Sequence, residues 1–324
     1  MLNIIKRFNY YYENTNDDTL NKGILHKVLL FIDYCFAFLI EGCSVTNYFV
    51  YSFYNLKHGE RKKFVTWRRQ RWIYRKCNED DYGYLLRDKD EINKLFDEYL
   101  KRDWIISNRV SFQDFLYFTE KNPNFIAKPI HGTEGEGIYK FESLNDTQKK
   151  EIFTKYNNKN YLFEKYIIQH NSIAELHPFS VNTVRVSTVR NSDGVNIMSA
   201  SLRIGRHKSI KDNYTTGGLV AAIDLPTGII KMPAVDKMHN KYIIHPDTNK
   251  KIIGLKIPYW SETQELVKQL GAMVPQIRYT GWDISITNNG PVLIEGNYRG
   301  NFHVQQHSDM EGKYKIYKEA IKKI

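Results

Sequence analysis

The sequence has few cysteines, no long apolar run and no repeated or low-complexity segment, and each absence excludes a class of protein. Cys35, Cys43 and Cys77 form no C-x-x-C pair, so neither a disulfide framework nor a zinc cage is expected. The most apolar run, residues 28–40, is too short to span a bilayer, and Asp33 interrupts it, which favours a buried helix. The first residues lack the pattern of a secretory signal. These features predict a protein of the reducing cytoplasm.

The sequence does contain enough apolar residues for a core, together with an excess of positive charge. Its 324 residues are 42% hydrophobic and 26% charged, which is typical of one large domain or of two or three interlocked ones. The formal net charge is +11. Such a charge suits nucleic acid, an anionic membrane surface or anionic substrates, and by itself does not choose among them.

The order of apolar patterns predicts an α+β protein with antiparallel strands and a largely helical, basic N-terminal region. We expect three parts: a helical region over 1–105, a small subdomain over 106–168 and a large one over 169–324. Expected helices lie at 61–76, 90–104, 145–156, 262–274 and near 310–324, and expected strands at 124–130, 136–141, 161–168 and 182–190, with a hairpin over 217–232.

A glycine-rich segment follows the strand that ends near Lys128. Gly132, Gly135 and Gly137 would let backbone N–H groups approach phosphate oxygens, and Lys128 would add positive charge. The spacing matches neither Walker A nor the dinucleotide fingerprint, because both run into a helix and here a second strand follows. The pattern fits a flap over phosphates, although the glycines alone favour an ordinary turn.

Residues 281–297 form two apolar runs around a turn, with acidic residues on the polar face. A three-residue loop ending at Gly290 would place Asp283 directly across from Glu295, with Asn297 on the same face. Opposed carboxylates repel unless a cation lies between them, and oxygen ligands with one amide suit Mg²⁺. The alternative is a solvated polar face with two scattered acids.

Two further strand-like runs carry candidate residues. The run through Glu164, Lys165 and Ile167 could be an edge strand that offers backbone groups to a purine, with Gln169 or His170 reaching a ribose. An amphipathic strand explains that pattern equally well.

The sequence predicts that Arg185 lies on the polar face of a strand and that Arg203 belongs to a neighbouring strand. An Arg that faces transferred phosphate and an Arg that serves as an ion-pair partner look the same in sequence.

The order of these motifs resembles the ATP-grasp superfamily: a Lys-Pro strand, a glycine flap, a Glu-Lys strand, an Arg strand, a Gly-Trp-Asp strand and a Glu-x-Asn strand. Residues 177–186, 217–230 and 281–297 are most similar to the sugar-transfer-associated ATP-grasp family, which is linked to bacterial surface-polysaccharide synthesis. The resemblance covers roughly residues 85–305. It implies an ATP-grasp fold whose antiparallel sheets clasp ATP.

The resemblance also implies a role for each matching residue. Lys94 and Lys128 would contact ATP phosphates, with the three glycines as the flap. Glu164, Lys165 and Ile167 would border adenine. The Mg²⁺ ligands would be Asp283, Glu295 and Asn297, and the catalytic arginines would be Arg185, Arg203 or Arg299.

The sequence departs from related ligases at two points. Tyr298-Arg299 follows Asn297 where a Pro-Gly step is common, and Gly281-Trp282 stands where many amide-forming members place an Arg to face the oxyanion. These departures leave the geometry of the acceptor open.

The implied reaction is an ATP- and Mg²⁺-dependent ligation through an acyl phosphate, with small-molecule carboxylate and amine substrates and a sugar or glycan acceptor. One alternative is phosphoryl transfer to a sugar hydroxyl. Another is a basic nucleic-acid or membrane binding module, suggested by residues 61–76 with Trp67 and Trp72. That module would leave the ATP site unexplained, so nucleic acid is not an expected partner. An anionic membrane surface would meet residues 61–76 at the inner face of the membrane.

Overall fold

The computed structural model describes residues 2–20, 23–132 and 136–324, and it combines helices with two antiparallel sheets. The N-terminal region holds α1 (Leu2–Asn14), α2 (Ile24–Glu41), α3 (Val45–Val50), α4 (His58–Arg61), α5 (Trp67–Cys77), α6 (Lys89–Leu95) and α7 (Asp97–Leu100). The later helices are α8 (Phe112–Lys121), α9 (Asp146–Tyr156), α10 (Asn171–Ala174), α11 (Trp260–Met273), α12 (His303–His307) and α13 (Tyr314–Ile321). The strands are β1 (Trp104–Ile106), β2 (Asn124–Pro129), β3 (Tyr139–Glu142), β4 (Tyr161–Lys165), β5 (Val184–Asn191), β6 (Gly194–Ile204), β7 (Leu219–Ala222), β8 (Ala234–Val235), β9 (Lys241–Tyr242), β10 (Tyr279–Thr287) and β11 (Gly290–Asn297).

The first helices pack around an aromatic cluster of their own. Phe8 of α1 contacts the rings of Tyr34 on α2 and Phe49 on α3. Gly42 ends α2 in the left-handed conformation, which a residue without a Cβ adopts without strain. Of the helices in the described ranges, none is long and apolar enough to cross a membrane.

Two helix predictions in this region were wrong in extent. Residues 61–76 are not one helix, because α4 ends at Arg61 and α5 begins only at Trp67. The helix expected over 90–104 is divided at Phe96 and stops at Lys101, whose φ is +49°, before β1 begins. The domain boundary proposed at residue 105 therefore falls inside β1.

The smaller sheet has the strand order β1-β4-β2-β3. Phe125 and Phe163 point to one face of this sheet and pack with Phe115 of α8, Tyr156 of α9 and neighbouring aromatic residues. The predicted cap of α9 is confirmed, since Asn145 accepts from the Gln148 N–H and Gln148 reaches back to the Asn145 N–H. The opposite face of this sheet carries Lys128 and Glu164.

The larger sheet has the order β11-β10-β5-β6-β7-β8-β9. Its inward-facing residues alternate with polar ones, so Val184, Val186 and Ile284 join the main core while Arg185 and Asp283 point to the other face. α6, α7 and α11 cover the apolar face. The predicted α+β architecture with a helical N-terminal region is confirmed.

The hairpin of β10 and β11 reaches its expected register by a different route. The turn is shorter than predicted, because Thr287 pairs directly with Gly290 and only Asn288 and Asn289 lie between them. A bulge between Ile284 and Asp283 then adds one residue to β11, so that Asp283 still pairs with Glu295. The two departures compensate, and both carboxylates share one face.

Candidate functional site

A buried ion pair links β2 and β4 of the small sheet. The Lys128 ammonium lies 2.8 Å from the Glu164 carboxylate, which also accepts from the Arg102 guanidinium at 3.3 Å and from the Asn93 amide at 2.7 Å. Burial disfavours the charged form of Glu164, but Arg102 and Lys128 outweigh burial and lower its pKa to about 2. The sequence led us to expect Lys128 to face phosphate rather than a structural carboxylate, but its ammonium contacts the Glu164 carboxylate, and its contact with phosphate stays a prediction.

Arg102 joins the two sheets at the bulge of β11. Besides Glu164, it donates to the backbone carbonyl of Leu293 at 2.5 Å and to that of Ile294 at 3.5 Å. A bulge leaves backbone groups outside the ladder, and here a guanidinium satisfies them. The position of Glu295, the next residue, is therefore tied to the small sheet.

On the large sheet, Asp283 is held by two arginines from neighbouring strands. Arg185 of β5 pairs directly with Asp283 across the sheet and donates to its carboxylate through Nε and, at 2.7 Å, through Nη2. Arg203 of β6 donates to the same carboxylate from Nη2 at 3.1 Å. Burial opposes ionisation of Asp283, yet the two arginines lower its pKa to about 2. Arg203 is itself positioned by Thr183 and Asp212.

Glu295 is compensated less, because it forms no salt bridge in the described part of the chain and Arg185 and Arg203 only partly offset the rise of its pKa. Among the described residues, the Asn297 amide nitrogen donates to Glu295 Oε1 at 3.4 Å and lies 3.5 Å from Asp283 Oδ2. Burial raises the pKa of Glu295, and the adjacent Asp283 carboxylate raises it further. A buried carboxylate beside another carboxylate is suited to bind a metal ion, because a cation between them would offset their repulsion.

A donor set of two carboxylates and one amide fits Mg²⁺, and its two carboxylates would contribute unequally to binding the ion. Asp283 is already neutralised by Arg185 and Arg203, whereas Glu295 is not paired with a cation. Glu295 and Asn297 would therefore hold the ion most directly, with Asp283 at its side. No group of three His, Cys, Asp or Glu with metal-binding geometry occurs in residues 2–20, 23–132 or 136–324.

Lys89 is a site residue that the sequence did not indicate. It begins α6, and its ammonium lies 3.0 Å from the carbonyl of Gly132 and 3.3 Å from that of Ile130. Burial lowers its pKa, Lys128 lowers it further, and Glu295 and Glu164 oppose the shift. Lys89 thus lies between the charged groups of both sheets. No local signal singled it out, because Lys89 meets the end of β2 only through the tertiary fold.

The flap prediction is partly supported by the described residues. β2 pairs antiparallel with β3, and Gly137 lies in a turn with a φ of +71°, so the segment connects two strands and no helix starts there. A Cβ at Gly132 or at Gly137 would lie 3.3 Å from the Pro129 ring, which makes both positions tight. Gly135 lies outside the described residues. Closure over a nucleotide stays a prediction.

The purine-binding prediction needs a correction. β4 is not an edge strand, because β1 and β2 flank it. The N–H of Lys165 donates to Asp103 and that of Tyr166 donates to Asn124, so both are already occupied. A backbone N–H that contacts a base would therefore come from Ile167 or a later residue, and the purine contacts of Glu164 and Lys165 stay a prediction.

Three other predicted residues do not join the cluster. Gln169 donates to the carbonyl of Ser180 and accepts from the N–H of Asn182, so both ends of its amide are used internally. Lys94 pairs with Glu91 and Asp90 on its own helix. Arg299 lies beyond the end of β11 and pairs with Asp80 at the surface. Spacing along the chain suggested all three, and packing directs each elsewhere.

Comparison with known proteins identifies the family of the chain. The family model described as sugar-transfer associated ATP-grasp matches residues 68–320. A comparison with curated proteins gave no significant match. Among solved structures, the ATP-grasp ligase PsnB complexed with minimal precursor, Mg and ADP has 13% identity and a TM-score of 0.48 over 76% of this chain and 61% of that chain.

D-Alanine-D-alanine ligase from Helicobacter pylori has 13% identity and a TM-score of 0.46 over 74% of this chain and 61% of that chain. N5-carboxyaminoimidazole synthetase from Staphylococcus aureus, complexed with ADP, has 15% identity and a TM-score of 0.41 over 67% and 46%. The chain thus spans about half to three fifths of the length of these chains. The family match covers most of the chain, and the protein belongs to the sugar-transfer-associated ATP-grasp family.

Proposed function

We propose that the protein is an ATP- and Mg²⁺-dependent carboxylate–amine ligase that works through an acyl phosphate. The observation that carries the proposal is the convergence of unequal charges from both sheets. Lys89 and Lys128 supply cations for a polyphosphate, and Glu295 lies beside Asp283 without a cationic partner in the described residues. Membership of the ATP-grasp family supports the nucleotide as the source of the phosphoryl group.

The arginines of the large sheet are suited to hold the acidic substrate. Arg185 and Arg203 use Nε and Nη2 on Asp283, Thr183 and Asp212, and the Nη1 atom of each has no hydrogen-bond partner among the described residues. A carboxylate or a developing oxyanion could accept from both Nη1 groups. Such positioning and charge neutralisation would supply most of the catalysis.

Arg185 also accounts for the missing arginine before Asp283. A Cβ at Gly281 would lie 3.4 Å from both Cδ and Nη1 of Arg185. The guanidinium from β5 therefore fills the space into which a side chain at position 281 would project. We infer that Arg185 takes over the oxyanion role from the neighbouring strand, which favours amide formation over phosphoryl transfer to a hydroxyl.

The chemistry proceeds in two displacements. A carboxylate oxygen of the substrate attacks the γ-phosphorus of ATP, and the P–O bond to ADP breaks. The amine nitrogen then attacks the acyl carbon, phosphate leaves with the bridging oxygen, and the nitrogen loses a proton to solvent. Glu295, Asn297 and Asp283 would hold Mg²⁺, which would neutralise charge on the phosphates.

The substrate class is proposed from family and charge. We expect a carboxylate of an acidic sugar or an amino acid, joined by an amide in surface-polysaccharide synthesis inside the cell. The exposed part of residues 61–76 would meet an acidic glycan or anionic lipid headgroups. Inward-facing Arg61 and Arg69 are excluded from that role, because Arg61 pairs with Asp33 and Arg69 donates to backbone carbonyls.

The deciding experiment follows oxygen from the carboxylate. The protein is incubated with Mg²⁺, ATP, an amine and an acidic sugar whose carboxylate carries ¹⁸O, and the products are read by ³¹P NMR. Ligation transfers one ¹⁸O to free phosphate. Phosphoryl transfer to a hydroxyl gives a stable phosphomonoester without labelled phosphate. ATP hydrolysis with unlabelled phosphate for every acid tested would contradict the acyl-phosphate route.

A further inference from the structure

The N-terminal helix α2 exposes an apolar face that the catalytic proposal does not use. Residues along one side of this 18-residue helix are largely open to solvent, with Leu25 72% and Leu39 67% exposed. The face consists mainly of Leu25, Val28, Leu29, Ile32, Phe36 and Leu39. Its opposite side is also apolar, since Leu30, Tyr34 and Ala37 are buried against the aromatic cluster. Contiguous apolar surface on this scale marks an interaction site.

This face is wide as well as long. At 3.6 residues per turn, the exposed apolar residues from Ile24 to Ile40, Phe38 included, cover an arc of about 200°, and 18 residues extend about 27 Å. The histidine and the charged residues of the helix, which are His26, Lys27, Asp33 and Glu41, all lie outside that arc. A seam between two paired helices is narrower than this. A continuous fluid surface is the better match for a broad convex face.

Positively charged residues lie beside the C-terminal end of α2. Arg68 at the start of α5 donates to the carbonyls of Leu39 and Ile40, so the first turn of α5 abuts the last turn of α2. Trp67 is 45% exposed there, with the Arg71 guanidinium 4.9 Å from its ring centroid. Arg75 and Lys76 continue the exposed basic side of α5.

The charge decides between the two occupants that an apolar helix could have. A second copy packed on α2 would bring two such basic borders together, in a protein with net charge +11. An anionic lipid surface instead complements them, and Trp at the border of an apolar face suits the headgroup level.

We propose that α2 lies in the plane of an anionic membrane leaflet, with its apolar face among the acyl chains and the α5 residues Trp67, Arg71 and Arg75 at the headgroups. The protein would then be a surface-bound enzyme held by an in-plane helix. This inference stands on the N-terminal region and is independent of the ligase proposal.

Vesicle pelleting of the full chain tests it. The wild type should pellet with phosphatidylglycerol–phosphatidylcholine vesicles and much less with phosphatidylcholine alone. The variant Leu25→Ser/Leu29→Ser/Phe36→Ser should lose binding by about tenfold or more, because three large apolar side chains no longer enter the leaflet. A matched control, Tyr117→Ser/Ile243→Ser/Ile316→Ser, removes three exposed apolar side chains elsewhere and should pellet like the wild type. Arg71→Gln/Arg75→Gln should lower only the phosphatidylglycerol-dependent part.

A second measurement needs no α2 variant. The emission of Trp67, taken as the difference between wild type and Trp67→Phe, should shift to shorter wavelength when phosphatidylglycerol vesicles are added. Unchanged pelleting of the α2 variant, or an unchanged Trp67 spectrum, would overturn the proposal. So would light scattering that shows a dimer which the α2 variant dissociates, without vesicle binding. Each of these results leaves the ligase proposal untouched, because neither assay measures turnover.

Discussion

Each of the two sheets carries a glutamate that raises the pKa of Lys89, and the pKa values of the two glutamates are shifted in opposite directions. Glu164 on the small sheet accepts from Lys128, Arg102 and Asn93, and its pKa is lowered to about 2. Glu295 on the large sheet lies beside Asp283, and its pKa is raised. The small sheet therefore contains a completed ion pair, while in our proposal the carboxylate on the large sheet gains its cation when Mg²⁺ binds.

The two carboxylates of the β10–β11 hairpin show the same contrast, because, in the part of the chain that the structure describes, one is paired with cations and the other is not. Asp283 forms salt bridges with Arg185 and Arg203, whereas Glu295 forms none in the described residues. In the proposed metal site, the arginines would hold Asp283 in place before an ion binds, and Glu295 would supply most of the attraction for the ion. This division predicts that the residues of the site will separate into those that carry stability and those that carry turnover.

The largest effect is expected on turnover from Glu295→Gln. Removing this charge should lower Mg²⁺-dependent ATP turnover by about 100-fold or more, the range seen when a main electrostatic stabiliser is lost. The melting temperature should stay level or rise, because the charge opposes folding. Turnover and thermal melting are measured on the same preparations. Glu120→Gln, at an exposed helix position, is the control and should change neither. Wild-type-like turnover in Glu295→Gln would remove Glu295 from the metal site.

Glu164→Gln should reverse that pattern and affect stability. Lys128 and Arg102 would be left buried against a neutral amide, and breaking a buried pair in this way typically destabilises by about 3 kcal/mol or more. Urea unfolding measures the loss. The double variant Glu164→Gln/Lys128→Met should recover part of it, since the second change removes one of the unpaired cations. Equal stability of Glu164→Gln and wild type would mean that solvent already screens the pair.

Lys89→Met should weaken ATP binding by about tenfold, which corresponds to one charge-assisted hydrogen bond. Lys94→Met is the matched control, because Lys94 starts five residues later on the same helix and pairs with Glu91. Nucleotide affinity is measured by calorimetry with ATP and Mg²⁺. A larger effect at Lys94 than at Lys89 would restore the assignment that the sequence suggested.

What could be predicted from the sequence follows the range of the underlying interactions. The alternation of side chains along a strand is local, so Asp283, Glu295 and Asn297 were placed on one face before the turn length was known. The choice between Lys89 and Lys94 depends on how α6 meets the end of β2, which is a tertiary contact. The pairing of Arg185 with Asp283 depends on β5 lying beside β10, and chain order does not give that neighbour.

The predictions that failed did so for the same reason. Gln169 had the right position after a strand, but the loop around Asn182 takes both ends of its amide. The exposed face of α2 was expected to be buried, because an apolar run of that length usually packs inside. In both cases the local pattern was interpreted correctly as a helix or strand residue, and the partner across the fold decided the role.

The smallest expected effect is the dependence of these stabilities on pH, and its sign separates Glu295 from Asp283. The folded-state pKa of Glu295 is raised above its ordinary value of 4.5, so the protein loses stability as pH rises through that folded pKa. The stability of Glu295→Gln should therefore match that of the wild type below pH 4.5 and exceed it near neutral pH, by about 1.4 kcal/mol for each pH unit by which the pKa is raised.

The contribution of Asp283 to stability has the opposite sign, because its folded pKa of about 2 lies below the ordinary 3.8. Its contribution is present above pH 3.8 and is lost as pH falls toward 2, so Asp283→Asn should be less stable than the wild type near neutral pH and approach it in acid.

Urea unfolding of the wild type, Glu295→Gln and Asp283→Asn across this pH range, without and with Mg²⁺, measures both differences. Mg²⁺ should close the gap between Glu295→Gln and the wild type, since a bound cation stabilises the ionised glutamate. A gap that Mg²⁺ leaves unchanged would show that the ion binds elsewhere.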